Sequence, residues 1–450
     1  MTKIKAEDEV AFMAYYDSLT MLPNRRLFEK NLEQKIERCQ SKDLQCSVIF
    51  LDLDGFKSVN DTIGHKGGDQ LLIKVAKRLK RILGPDDIIA RFGGDEFLIL
   101  VNSFKCSNRV KIVADELLNA FITPFNVSNQ DFFITCSAGI AVYLKDGTVT
   151  QSLIKNADIA MYSVKYSGKN KYAFCTEKMK ADVYSEMLLS NDLNNAIERD
   201  QLEVFYQPQI NLCSKKIIGV EALLRWNHPE LGIIAPGVFI PLAEKIGLIN
   251  SIGPWILKQA CAKNKSWQNL GFAPVTMAVN LSGVQFMNKQ IVNQVEEILQ
   301  VTGLDAKYLE LEITESTAIQ ESDDEFSILV RLKNLGVSIA IDDFGTEYSS
   351  LSRLKNLPID RLKIDIQFIQ GIGKNKKDEA ITNIIIELAK SLQLKVIAEG
   401  VENLEQVQFL ESRMCHDVQG YHFYPPMNHK DVDQVMMNLL DDSMEISAVK

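Results

Sequence analysis

A chain of 450 residues is longer than one hydrophobic core usually serves, so two or three domains are expected. An apolar fraction of 46% and a charged fraction of 24% are ordinary for a globular protein with sizeable cores. The formal net charge of −9 argues against a binder of nucleic-acid polymers, which needs a basic face to displace counterions, but leaves nucleotides open because divalent cations can supply positive charge.

Residues 1–11 read as a charged helical lead without the apolar core of a secretion signal. No later run is long and apolar enough to cross a bilayer, so a cytoplasmic chain with no membrane segment is expected. A helix from about Arg25 to Gln40 precedes a strand, Cys46 to Leu53, that ends in Asp52-Leu53-Asp54-Gly55-Phe56-Lys57. Gln70 to Leu83 has helical periodicity. The apolar runs Ile88–Phe92 and Phe97–Val101 flank Gly93-Gly94-Asp95-Glu96, the pattern of a hairpin with an exposed polar turn. A helix (Asn108 to Ile122), a strand (Phe132 to Val142) and a helix (Leu153 to Tyr166) complete an α+β sandwich over 12–175.

Glu177 to Glu198 has helical spacing with no Gly or Pro and predicts a stiff connection, with the linker itself at 176–190. From Leu202 onward, short apolar runs alternate with helical stretches, and most runs end in a polar or acidic residue. The runs are Lys216–Val220, Val275–Val279, Tyr308–Leu311, Val337–Ile341, Arg361-Leu362, Lys395–Ala398 and Asp417-Val418. Repeated β–α units of this spacing predict a TIM-barrel-like (β/α)8 domain over 191–440, followed by a tail at 441–450. The eight cysteines form no CxxC pair and read as reduced, partly buried thiols, and the five histidines are too scattered for a metal cluster.

Glu221, Asn280, Glu312, Asp342, Asp343 and Glu399 fall at successive strand ends, where such a barrel gathers its functional side chains in one mouth. Five carboxylates in a small volume repel one another, and desolvation makes this worse. Oxygen-only ligands suit Mg²⁺ or Mn²⁺ as the remedy. Adjacent Asp342 and Asp343 would let one carboxylate bridge two metals while its neighbour holds the second, the arrangement for in-line phosphodiester displacement. Lys363 would orient the attacking water or neutralise developing charge, and Arg225 would hold a phosphate bidentately. Any one of these residues alone reads as a solvated loop residue or a helix cap; six in order carry the metal reading.

Glu221-Ala222-Leu223-Leu224-Arg225-Trp226, Val279-Asn280-Leu281-Ser282, Leu311-Glu312-Ile313-Thr314-Glu315, Ile341-Asp342-Asp343-Phe344-Gly345, Leu362-Lys363-Ile364-Asp365 and Ala398-Glu399-Gly400-Val401-Glu402 resemble the EAL phosphodiesterase domain. The resemblance implies a barrel that linearises cyclic di-GMP to pGpG with two Mg²⁺ or Mn²⁺ ions. It implies one metal on Glu221, Asn280, Glu312 and Asp342, and another on Asp342, Asp343 and Glu399. It gives Lys363 the nucleophilic water, puts Gln207, Arg225 and Gln419 near substrate, and has Glu315 and Glu402 brace the loop after Asp343. Glu347 departs from the glycine usual in that loop, which implies reduced or more tightly regulated activity.

In the first domain, Asp52, Asp95 and Glu96 on neighbouring elements are similar to the carboxylate pairs of polymerase and cyclase palms, and Gly93-Gly94 admits a ligand close to the backbone. With Asp17-Ser18-Leu19-Thr20-Met21-Leu22-Pro23-Asn24-Arg25 and Gly64-His65-Lys66-Gly67-Gly68-Asp69, these blocks resemble a GGDEF diguanylate cyclase domain. The resemblance implies cyclic di-GMP made from two GTP across a homodimer. Asp52, Asp95 and Glu96 would then serve Mg²⁺ bound with GTP, Asn60 and Asp69 would read guanine, and Lys165 and Lys169 would meet phosphates. Met21 stands where glycine is usual, and Gly84 stands where the product-inhibition motif ending at Asp87 would need arginine, so no product inhibition is expected there. A bifunctional enzyme is the leading expectation. The alternatives are a phosphodiesterase with a GTP-binding regulatory domain and a non-catalytic cyclic di-GMP receptor.

Overall fold

The computed structural model describes residues 12–437, apart from 13, 42–43, 105–107, 319–322 and 347–350. The expected lead at 1–11, the tail at 441–450 and the departure at Glu347 lie outside the described residues. The chain divides into two compact units, 1–187 and 188–450, each with its own core.

The first unit is built on a five-stranded sheet in the order β2-β3-β1-β6-β7. Its strands are β1 (Leu44–Asp54), β2 (Ile88–Gly93), β3 (Glu96–Phe104), β6 (Thr135–Val142) and β7 (Tyr172–Phe174), with a small hairpin of β4 (Phe125–Val127) and β5 (Gln130–Phe132) beside it. β1 pairs antiparallel with both β3 and β6. Its side chains alternate between faces, as the pleat requires. Val48 and Phe50 join Phe28 and Leu32 of helix Arg25–Ser41 and Leu153 and Ala157 of helix Thr150–Tyr166. Ile49, Leu51 and Leu53 face Leu71, Val75 and Leu79 of helix Phe56–Ile82 and Val113 of helix Arg109–Asn119. The helix expected from Gln70 begins earlier, at Phe56, and is interrupted by non-helical Gly64 at φ 72. The expected strand from Phe132 is instead the end of β5 and a separate β6, because Phe125–Phe132 turn back as a hairpin.

Helix Glu177–Leu193 ends five residues before Glu198; Asn194–Asp200 form turns, with Asp200 left-handed at φ 52. The second unit is a closed barrel. Seven strands run parallel: β9 (Lys216–His228), β11 (Thr276–Asn280), β12 (Leu309–Thr314), β13 (Ser338–Phe344), β14 (Arg361–Ile364), β15 (Lys395–Ala398) and β16 (Asp417–Val418). The eighth, β8 (Leu202–Asn211), is antiparallel to both β16 and β9 and closes the ring. A short β10 (Gly232–Ile234) extends β9. Sequence spacing did not reveal β8, because a hairpin strand has no helix before its partner.

The same hairpin corrects the place of Glu221. It is not at a strand end, since β9 continues to His228 by pairing with β8 and β10. Leu311 and Ile313 of β12 and Leu362 and Ile364 of β14 pack into the apolar core. The alternate residues, Glu310, Glu312, Arg361 and Lys363, meet one another in the barrel interior.

Candidate functional site

The interior charges converge on Lys363. Its ammonium lies 2.6 Å from Glu312 Oε2, 2.7 Å from Glu399 Oε1, 3.0 Å from Asp342 Oδ1 and 3.8 Å from Glu221 Oε1, and the side chain is 1% exposed. Asn280 donates to Glu221 Oε1 at 2.7 Å, and Gln419 donates to its Oε2 at 2.5 Å and to Gln207 Oε1 at 2.9 Å. Burial, which works to lower the pKa of Lys363, is outweighed by Asp342, Glu221, Glu312 and Glu399, so its value rises well above the usual one. The cluster therefore carries a cation of its own. Repulsion among the carboxylates is already relieved in part by the chain, which corrects the expectation that only metal could do so.

The relief is incomplete. Five carboxylates and one ammonium leave four formal negative charges, the charge that two divalent cations would balance. Burial, then Asp342 and Glu221, push Glu399 up to about 8 against the pull of Lys363. Burial, Asp342 and Asp365 push Asp343 up to about 7. Burial and the neighbouring carboxylates raise Glu312 far above its ordinary range, and its Oε1 is buried without a hydrogen-bond partner. Asp342, Asp343 and Glu399 each offer an oxygen within 4.8 Å of the others, the one such acidic group among the described residues. An unpartnered buried oxygen, an all-oxygen donor set and excess negative charge fit hard divalent cations.

Asp342 and Asp343 could not both face the mouth on a regular strand, where neighbours alternate. The β13–β14 register shifts between Ile341 and Phe344, and Asp343 takes φ 54, a left-handed bulge that brings the two carboxylates together. Gly345 N–H donates to Glu315 Oε2 at 2.9 Å, anchoring the start of the following loop. Glu402 instead meets Gln370 Nε2 at 3.4 Å and gives the described part of that loop no bond. The Arg225 guanidinium is 5.5 Å from the Phe205 ring centre, with Nη1 donating to Leu224 O at 2.8 Å, and Tyr421 and Glu221 partly counter the lowering that burial gives its pKa. A groove of about 540 Å³ opens beside the cluster, lined in part by Leu224, Ile249, Ile256, Ser282, Thr314 and Asp343, a size suited to a nucleotide-sized ligand. Asp365 was quoted in a motif but given no role. Its place two residues after Lys363, just past the end of β14, was the available signal.

In the first unit, β1–β3 pairing sets Asp52 opposite Glu96, while Gly93 ends β2 and Gly94-Asp95 form the turn, with Gly94 at φ 51. Lys165 pairs with Asp52 at 2.7 Å. Burial, then Asp95 and Asp54, raise Asp52 despite Lys165; burial, then Asp52, Asp158 and Asp95, raise Glu96. Asp158, itself raised by burial, is a fourth acid here that sequence reading missed, although it lies two turns before Lys165 on one helix. Asn60 lies against Gly68, where a Cβ would come 1.9 Å from its Oδ1, while Asp69 and Lys169 are exposed. Arg91 ties the turn down: Nε and Nη2 donate to Gly94 O at 3.0 and 2.8 Å, and Nη1 reaches Asp17 Oδ2 at 3.1 Å.

Comparison with known proteins identifies both domains. The EAL domain model matches residues 190–426. The chain belongs to the EAL domain family. The model of the diguanylate cyclase GGDEF domain matches residues 14–171, so the two domains stand in tandem. The bifunctional diguanylate cyclase/cyclic di-GMP phosphodiesterase MucR of Pseudomonas aeruginosa is 44% identical over 94% of this chain and 62% of its own length. The cyclic di-GMP phosphodiesterase NbdA of the same organism is 39% identical over 92% of this chain and 53% of its own. This chain thus spans between half and two thirds of those two relatives. The solved structure of PaMucR phosphodiesterase as a c-di-GMP complex is 45% identical with a TM-score of 0.53, covering 54% of this chain and 99% of that one. Among the described residues, no helix is long and apolar enough to cross a membrane.

Proposed function

We propose that this chain turns over cyclic di-GMP, hydrolysing it to pGpG in the EAL barrel and making it from two GTP in the GGDEF unit. The observation that carries the hydrolytic half is the cluster of Glu221, Glu312, Asp342, Asp343 and Glu399 around Lys363, with four negative charges left over. Glu221, Asn280, Glu312 and Asp342 would hold one Mg²⁺ or Mn²⁺, and Asp342, Asp343 and Glu399 a second. Such a pair supplies Lewis acidity to the phosphodiester and to the attacking water. Lys363, an ammonium held among the carboxylates, would orient the attacking water at Nζ. Gln419, itself bonded to Gln207, donates to Glu221, and Arg225 is the residue to receive a substrate phosphate.

For the GGDEF unit, Asp52, Asp95 and Glu96 would share Mg²⁺ with GTP, Asn60 and Asp69 would contact guanine, and Lys165 and Lys169 would contact phosphates. Synthesis from two GTP implies a homodimer. The cytoplasm is the compartment where both substrates would be met. A second reading, in which this unit only binds GTP and adjusts the barrel, is favoured by one observation. Lys165 is engaged by Asp52, and the oxygens of Asp52, Asp95 and Glu96 do not close into one tight group as those of the barrel do.

The test is to incubate the chain with Mg²⁺ and either cyclic di-GMP or GTP and resolve the products by chromatography. Unmutated protein should yield pGpG from cyclic di-GMP, and Glu221→Ala should abolish this. Glu221→Ala should also accumulate cyclic di-GMP from GTP, and adding Asp95→Ala should stop that accumulation. Retention of cyclic di-GMP hydrolysis in Glu221→Ala would overturn the barrel assignment; no cyclic di-GMP from GTP in Glu221→Ala would favour the regulatory reading.

A further inference from the structure

One layer beneath the carboxylate cluster lies a second set of polar side chains that the proposed reaction does not use. β12 and β14 each place two residues inside the barrel. Above sit Glu312 and Lys363; below sit Glu310 and Arg361, 2% and 5% exposed. Arg361 Nη1 donates to Glu310 Oε1 at 3.0 Å and to Gln209 Oε1 at 3.2 Å. Gln209, wholly buried, has space for its side chain because its neighbour across β9 is Gly219, where a Cβ would come 2.5 Å from Gln209 Oε1. Gln209 Nε2 then donates to Gln419 Oε1 at 3.1 Å, and Gln419 Nε2 donates to Glu221 Oε2.

The direction of this chain is set consistently at both ends, by Arg361 at one and by Glu221 and Gln207 at the other. A guanidinium has donors only, whereas each carboxamide has one accepting and one donating end. Arg361 therefore requires the oxygen of Gln209 to face it, which turns the Gln209 amide toward Gln419. Gln419 must answer with its oxygen, which leaves its own amide facing Glu221. Were Gln419 reversed, its oxygen would oppose the Glu221 carboxylate in a site with little water, at considerable cost. Glu310 balances the charge of Arg361, and Arg361 in turn opposes the rise that burial gives the Glu310 pKa.

We propose that Arg361 is a positioning residue: through Gln209 and Gln419 it fixes which side of Glu221 is occupied by a hydrogen bond and so presents the remaining carboxylate lone pairs to a divalent cation. This rests on the reading of the barrel mouth as a cation site. Loss of such outer partners commonly weakens metal binding by about tenfold or more.

The test is Mn²⁺ binding by titration calorimetry on the full chain, alongside thermal unfolding of the metal-free protein. Gln209→Glu is the discriminating variant. It keeps an acceptor for Arg361, and adds charge to that bond, but cannot donate to Gln419. It should weaken Mn²⁺ binding about tenfold, a larger loss than any lowering of the unfolding midpoint accounts for. Arg361→Met should weaken binding similarly, and Arg361→Lys, which keeps a donor, should recover most of it. Wild-type Mn²⁺ affinity in Gln209→Glu would overturn the proposal even if Arg361→Met fails to fold. So would losses of affinity that simply track losses of stability across the series. Absence of Mn²⁺ binding by the unmutated chain would overturn the cation-site reading itself, and this proposal with it.

Discussion

Asp343 combines two costs at one residue, a left-handed backbone and a carboxylate raised to about 7. Asparagine tolerates that backbone while β-branched residues do not. Asp343→Asn and Asp343→Val should both lose hydrolysis, but Asp343→Val should unfold at lower urea, by a further ~1–2 kcal/mol. Equal stability of the two would mean that the bulge relaxes. Met21 has φ 56 and is 60% exposed, which explains why glycine suits that position. Met21→Gly should raise stability by about 0.5–1 kcal/mol, left-handed strain outweighing the entropy of glycine, and a lowered urea midpoint would contradict this. Asp343 and Glu399 also set a pH dependence. Their folded values, about 7 and about 8, exceed the ordinary 3.8 and 4.5, so the stability they contribute is fully present below about pH 4 and is lost as pH rises through 7 and 8. Divalent cations would displace those protons and offset the loss. Mn²⁺ should therefore raise the unfolding temperature more at about pH 8.5 than at about pH 6, relative to EDTA; an equal rise at both would contradict the linkage.

At the scale of elements, the β2–β3 hairpin depends on Arg91, which holds the Gly94 carbonyl and the Asp17 carboxylate together. Arg91→Ala should lower cyclic di-GMP synthesis by about tenfold or more, since bonds to charged groups contribute ~1.5–3 kcal/mol, while hydrolysis stays unchanged. A parallel fall in hydrolysis would point to a general folding defect instead. The turn before β2 carries Asp87, whose buried carboxylate accepts from the N–H groups of Gly84 and Asn102, both at 3.0 Å, and from Arg109. With its oxygens committed to the turn and no arginine at 84, Asp87 is a structural residue. In a Glu221→Ala background, added cyclic di-GMP should leave the synthesis rate unchanged; inhibition relieved by Asp87→Ala would contradict this.

At the scale of the molecule, two units with separate cores carry the two sites. Asp95→Ala should abolish synthesis without changing the rate of hydrolysis measured with cyclic di-GMP alone. If synthesis needs two facing GTP sites, its rate per chain should climb with protein concentration until the dimer is formed. A concentration-independent rate, measured beside sedimentation, would exclude a dissociable dimer. The net charge of −9 keeps nucleotides as the expected ligands, provided that cations accompany them.

The sequence alone determined the two-domain order, the barrel class and the identity of the acidic residues, because each lies in a local pattern of strand, turn and motif that spacing expresses. It also placed Asp52 and Glu96 on neighbouring elements. It did not reveal the antiparallel β8, the continuation of β9 past Glu221, or the fact that Lys363 stands amid the carboxylates as their counter-ion. Those depend on barrel closure, which joins β8 to both β16 and β9 and brings carboxylates from β9, β12, β13 and the end of β15 to one ammonium on β14. The convergence of Asp342 and Asp343 was likewise decided by tertiary structure. Strand alternation would send them to opposite faces, and only the register shift between β13 and β14 turns both toward the mouth.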